Sequence, residues 1–404
     1  MSQVSERLAA LSSSETLAMS QKSNELKARG IDVINLSVGE PDFFTPDFIK
    51  TAAKKAIEDN FSFYSPVPGY LSLRNAIVSK LKKENNLDYK SEQIVCSNGA
   101  KQSVCNVLMC IIGAGDEVIV PAPYWVSYVE MVKLAEGTNV VVTAGIEQDF
   151  KITPAQLEAA ITPKTKALIL CSPSNPTGSV YSRTELKKLA EVLAKYPDIT
   201  IISDEIYEHI NYIGKHESIA QFKNVRDRVV IVNGVSKAYA MTGYRLGWMA
   251  GPQWIASACN KLQGQYTSGP SNIAQKAAEA AYLGSQDCVE TMRQAFQKRR
   301  DLMVELARNI PGFQVNEPQG AFYLFPDVSH YIGKTHYVNG DLFNGKKIAD
   351  SADLAMFLLE EGHVAAVGGK AFGAPNCIRF SYATSEDLLI EAMKRVKATL
   401  GKLV

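Results

Sequence analysis

Short apolar runs rich in β-branched residues recur through the middle of the chain, at 93–96, 117–120, 167–171, 200–202 and 229–232. Runs of that length and composition read as buried strands. Between several of them the period changes. Over 101–112 the apolar residues Val104, Leu108 and Ile111 fall on one helical face, and over 184–194 Leu186, Leu189, Ala190 and Leu193 do the same. Strands alternating with amphipathic helices predict an α/β fold with a mostly parallel sheet covered on both faces. The C-terminal part reads differently. A long helical stretch at 287–309 leads to Pro311-Gly312, isolated strand candidates follow at 321–325, 364–367 and 377–382, and a last helix covers 385–400. Residues 47–284 are therefore expected to form a large α/β domain, and 1–46 with 285–404 a smaller α+β domain. The glycine-punctuated stretch 330–347 reads as a surface loop able to serve as a lid.

Composition narrows the function classes. With 46% hydrophobic and 21% charged residues and a formal net charge of +1, the 404-residue chain has no electrostatic footprint for nucleic acid. None of its seven cysteines shows CxxC spacing, and Cys96, Cys110 and Cys171 sit in or beside apolar runs, as reduced core thiols do. The five histidines form no HxxH or HxxxH pair, so no metal is expected. Neither a secretory leader nor a membrane-length apolar run is visible, which makes the cytoplasm the expected location.

Unusual polar residues follow four of the strand candidates, where an open parallel sheet binds its ligands. After 94–96 comes Ser97-Asn-Gly-Ala-Lys-Gln102, either a tight strand-to-helix turn or a phosphate cradle of free backbone N–H groups. After 167–171 comes Ser172-Pro-Ser-Asn-Pro-Thr-Gly178, in which two prolines stiffen the backbone around Asn175. Asp204-Glu-Ile-Tyr207 puts a carboxylate at a buried strand end, as a helix cap or as a partner for a cation. Asn233-Gly-Val-Ser-Lys-Ala-Tyr-Ala-Met-Thr-Gly-Tyr-Arg245 sets Lys237 just past another strand, as a solvated loop residue or as a desolvated amine able to attack a carbonyl. Taken together, the four suit a phosphorylated pyridine aldehyde: phosphate on the helix start and Arg245, ring nitrogen on Asp204, aldehyde on Lys237. No GxGxxG or GxxxxGK[ST] competes at a strand-to-helix turn.

From Ile34-Asn-Leu-Ser-Val-Gly-Glu-Pro-Asp42 to Ile378-Arg-Phe-Ser-Tyr-Ala-Thr384, these segments in this order resemble the class I aminotransferases of the pyridoxal-phosphate fold type I, closest to the bacterial aspartate aminotransferase branch. The resemblance implies pyridoxal 5′-phosphate as cofactor and a Schiff base on Lys237, which then moves the substrate proton. It implies Asp204 on the pyridine nitrogen, Tyr207 and Asn175 on the 3′-oxygen, and Trp125 stacked on the ring. Gly99, Ala100, Lys101, Arg245 and Ser236 would hold the phosphate; more distant relatives place a hydroxyl residue where Gly234 stands. Tyr64 would reach the site of a neighbouring subunit, making the active unit a homodimer. Arg379 and the Gly39 N–H would take the substrate α-carboxylate, with Lys101 a candidate for a distal carboxylate. Many members carry a lysine just before a stretch like Ser12-Ser-Ser-Glu-Thr-Leu17; none stands here, which weakens the case for prephenate. The expected substrates are an L-amino acid, aspartate first, and 2-oxoglutarate. Aminotransfer from aromatic or other amino acids, C–S β-lyase chemistry and a non-catalytic cofactor-binding sensor are the alternatives.

Overall fold

A computed structural model describes residues 4–338 and 341–404 of the chain. Its largest sheet has seven strands: β1 (Ile94–Ser97), β2 (Glu117–Ala122), β3 (Thr138–Thr143), β4 (Thr165–Cys171), β5 (Thr200–Asp204), β6 (Val229–Gly234) and β7 (Gly247–Ala250). They lie in the order β1-β7-β6-β5-β4-β2-β3, and only β7 runs antiparallel to its neighbours. All five strand expectations in this region correspond to observed strands. Alternate residues of β6 explain why it reads as one continuous apolar run: Val229 and Ile231 join the core on one face, Val230 and Val232 the core on the other.

Helices cover both faces. Helix α1 (Gly99–Ile111) buries Val104, Val107 and Leu108 with Val118, Val120 and Met249. Helix α2 (Arg183–Leu193) begins at a capping box, in which Ser182 accepts from the Glu185 N–H and Glu185 accepts from the Ser182 N–H. It buries Leu186, Leu189, Ala190 and Leu193 on the opposite face.

A second apolar core gathers Met19, Ile34 and Leu36 with Phe296, Phe322, Leu358, Ile378, Phe380 and Val396. Helix α3 (Asp287–Arg308) touches both cores, through Val289 on the sheet side and Phe296 and Met303 on the other. Here Ile34–Asn35 pairs in parallel with Val364–Ala365, while Val367–Gly368 pairs with Ile378–Ser381, which in turn pairs with Tyr323–Leu324. The single strand expected at 364–367 is thus two short ones serving different sheets. The stretch read as a loop at 330–347 instead forms an antiparallel ladder of Thr335–Val338 with Asp341–Lys347, residues 339–340 lying outside the described residues. Counting glycines hid the hairpin: β-prone Tyr337-Val338 and Leu342-Phe343 flank Asn-Gly, the strongest short hairpin signal. Among the described residues no helix is long and apolar enough to cross a membrane.

Candidate active site

The carboxyl ends of β1, β4, β5 and β6 open on one cavity of about 390 Å³. Gly39, Ala100, Lys101, Trp125, Asn175, Asp204, Tyr207, Ser236, Lys237, Arg245 and Arg379 all line it. Gly99 stands just behind, where an added Cβ would meet the Arg245 guanidinium. Tyr64 does not take part: it is 98% exposed and lies beside Gly269 and Pro270.

Lys237 follows the end of β6 by three residues, and its ammonium donates to the Gly39 carbonyl at 2.7 Å. Burial pulls its pKa down from 10.5 to about 8; Glu40 and Asp204 oppose that, and Arg245 and Arg379 reinforce it. About a tenth of the amine is therefore uncharged at pH 7, far more than for an ordinary lysine, and that is the form that attacks a carbonyl.

Asp204 ends β5 and is almost fully buried. The Tyr128 hydroxyl donates to one carboxylate oxygen at 2.5 Å and the Ile206 N–H to the other at 3.2 Å. Burial raises its pKa from 3.8 to about 6, against these two hydrogen bonds. No helix starts here, so the capping alternative reduces to the single Ile206 contact.

Arg379 comes from Ile378–Ser381 and is 2% exposed. It donates to Asn175 Oδ1 at 2.9 Å and the Ser37 carbonyl at 2.6 Å, and its plane lies over the rings of Tyr323 and Phe372. Both acceptors are neutral, and the Nε has no partner. A buried guanidinium that lines a cavity and meets only neutral acceptors is ready for an anion. Tyr207 pairs its hydroxyl with that of Tyr323 at 2.8 Å.

The helix start at α1 is seated closely. A Cβ at Gly247 would overlap the Ala100 nitrogen, so only glycine lets β7 approach this turn. Arg245, in the left-handed region at φ 53°, donates to the Thr242 carbonyl at 3.0 Å. Free N–H groups of α1 and this guanidinium thus share one end of the cavity with the buried Ser236.

Two site residues were not singled out from the sequence. Tyr128 lies three residues after Trp125, in the first turn of the helix Ser127–Leu134, and the two rings meet edge to face at 5.3 Å; that short spacing was its available signal. Tyr323 arrives from a distant short strand with no local signal. Ser14, Thr16 and Leu17 of the N-terminal segment also line the cavity. Although no metal was expected, Glu84, Glu208 and His209 form one group of potential ligands and Glu205, Glu208 and His216 another, away from the cavity lining.

Residues 31–396 match the family described as Aminotransferase class I and II. An aspartate/prephenate aminotransferase of Cereibacter sphaeroides is 48% identical over 98% of both chains. The crystal structure of an aspartate aminotransferase from Rhizobium meliloti superposes with a TM-score of 0.95 at 40% identity, covering all of both chains. One from Thermus thermophilus with maleate gives 0.90 at 38% identity over 99% of this chain and all of that one. The fold is that of pyridoxal-phosphate enzymes of fold type I, and the chain belongs to the class I and II aminotransferases, transaminases that work with pyridoxal 5′-phosphate.

Proposed function

We propose that the chain is an aspartate aminotransferase that exchanges the amino group of L-aspartate with 2-oxoglutarate, through a cofactor held on Lys237. The observation that carries this is the pairing, in one cavity, of a lysine whose pKa burial has lowered with a buried arginine whose Nε has no partner. When bound, pyridoxal phosphate supplies an aldehyde for the amine and a ring that draws electrons from the substrate Cα.

The residues present fit that group. The α1 N-terminus, with Gly99, Ala100 and Lys101, and Ser236 and Arg245 form the phosphate end. Asp204, held up near pH 6 by burial, would ionise fully against a ring nitrogen bearing a proton and keep that proton there. Trp125 offers a ring face, and Asn175 and Tyr207 offer donors to the 3′-oxygen. Lys237, released as a free amine, would carry the proton to and from Cα. Arg379 and the Gly39 N–H would hold the α-carboxylate, fixing the Cα–H bond toward Lys237.

Relatives named for aspartate support that donor. Lys101, whose ammonium lies 4.9 Å from the Trp125 ring centre, is the cation proposed for the distal carboxylate. The segment Ser12–Leu17 borders the cavity with Ser14, Thr16 and Leu17 and brings no lysine, so prephenate should react less well than aspartate. The exposed Tyr64 is proposed to serve the site of a second copy, giving a homodimer. The two apolar cores support a large domain at 47–284 and a small one at 1–46 with 285–404. Seven unpaired cysteines suit the cytoplasm.

The test is a panel of L-amino acids with 2-oxoglutarate as acceptor. Aspartate and glutamate should be the fastest donors, and Lys237→Ala should lose both turnover and the visible absorbance of lysine-bound cofactor. Near-normal transamination by that variant, or pyruvate released from a cysteine conjugate without any acceptor, would overturn the assignment.

A further inference from the structure

Beside the turns that carry Tyr207 and Lys237 lies a second polar cluster that the proposed reaction does not use. Lys80, on the helix Leu71–Asn85, has a side chain only 2% exposed. Its ammonium contacts Glu208 Oε1, donates to Asn85 Oδ1 at 2.8 Å and lies 3.5 Å from Glu84. The other oxygen of Glu208 accepts from Asn233 Nδ2 at 2.7 Å, and Asn233 Oδ1 accepts from the Gly234 N–H at 2.7 Å. The carboxylates and imidazole of Glu84, Glu208 and His209 are close enough to hold a cation, and the Lys80 ammonium is there already.

Burying such a pair is costly, and apolar residues of similar size would often be at least as stable. What the pair does is join three elements. Glu208 directly follows Tyr207, Asn233 lies at the end of β6 four residues before Lys237, and Lys80 anchors both to a helix. The strand end has little room to move, since a Cβ on Gly234 would come within 2.8 Å of both Gly247 Cα and the Leu246 carbonyl.

We propose that Lys80, Glu208 and Asn233 are positioning residues that set the placement of Lys237 relative to Tyr207. The proposal rests on the reading of Lys237 as the cofactor lysine. Burial alone would raise the pKa of Glu208, but Lys80, His209 and His216 hold it down to about 2, so its carboxylate is ionised near neutral pH. The titratable groups facing it are Lys80, Glu84, Glu205, His209, His216, Tyr239 and Tyr282.

The test uses the holoenzyme and four proteins. Lys80→Met/Glu208→Leu removes the pair without leaving a lone buried charge, and Asn233→Ala cuts the same bridge at its other end. Lys80→Met/Glu208→Gln keeps an acceptor for Asn233 and is the rescue. Wild type, with its visible band and transaminase turnover, is the control on the reading itself. The first two variants should lose about tenfold to a hundredfold in kcat with KM for aspartate little changed, as misplacement by up to about 1 Å does. The pH midpoint of the visible band should move in both, and the glutamine variant should recover most of the loss. Folded variants with wild-type kcat and midpoint would show a merely structural pair and overturn the proposal. If the leucine variant does not fold, Asn233→Ala alone decides. A wild-type protein without the visible band would refute the cofactor assignment, and this proposal with it.

Discussion

Arg379 shows how much a single side chain contributes here. Its guanidinium already spends two donors on neutral acceptors, and a third is partnerless inside the protein. Replacement by lysine keeps the charge but loses the planar fork, so Arg379→Lys should lower kcat/KM by about a hundredfold or more, checked by steady-state kinetics with aspartate. Tyr128 acts on Asp204 through one short hydrogen bond to the ionised form. Tyr128→Phe removes that bond, so the Asp204 pKa rises and the acid limb of the pH–rate profile should move to higher pH, with kcat falling about tenfold. A profile that stays in place would show that the hydroxyl does not tune Asp204. Lys237 and Asp204 could be read from the sequence because each follows a strand that the apolar pattern makes plain. Tyr128 and Tyr323 could not, since their value lies in partners brought together only by tertiary folding.

At the scale of elements, the proposed phosphate end of the cavity depends on a strand. β7 passes so close to the first turn of α1 that the glycine at 247 is a steric requirement. Gly247→Ala should push the helix start away from its seat and weaken cofactor retention by at least about tenfold, measured by titrating the cofactor-free protein with pyridoxal phosphate. Unchanged affinity would mean that the seat yields elsewhere. This strand was hidden in the sequence for the same reason that it matters. Leu246-Gly-Trp-Met-Ala-Gly251 is short and bracketed by glycines, which reads as a breaker rather than as the partner of β1 and β6. Helices α1 and α2 were legible because one face of each is buried against the sheet and the 3.6-residue period survives.

For the whole molecule, charge buried between elements links stability to pH. The pKa of Glu208 falls from an ordinary 4.5 to about 2 on folding, so its contribution is fully present above pH 4.5 and is lost as pH drops toward 2. Lys80→Met/Glu208→Leu should therefore flatten the acid side of a melting-temperature profile between those values, leaving the neutral region nearly unchanged. The change of pattern near residue 285 led to the expectation that 1–46 joins 285–404, but which strands make the junction was not legible. Ile34–Asn35 finds its strand partner at Val364–Ala365, and no local signal announces a pairing across that distance.

That pairing also orders events in time. The loop just after Ile34–Asn35 supplies the Ser37 carbonyl to Arg379 and the Gly39 carbonyl to Lys237. A chain emerging from the ribosome has all seven strands of the sheet once β7 has appeared, yet the loop whose Gly39 carbonyl accepts from Lys237 is tied down only by residues 364–365. Synthesis order thus leaves the contact between Gly39 and Lys237 until the end of the chain has been made.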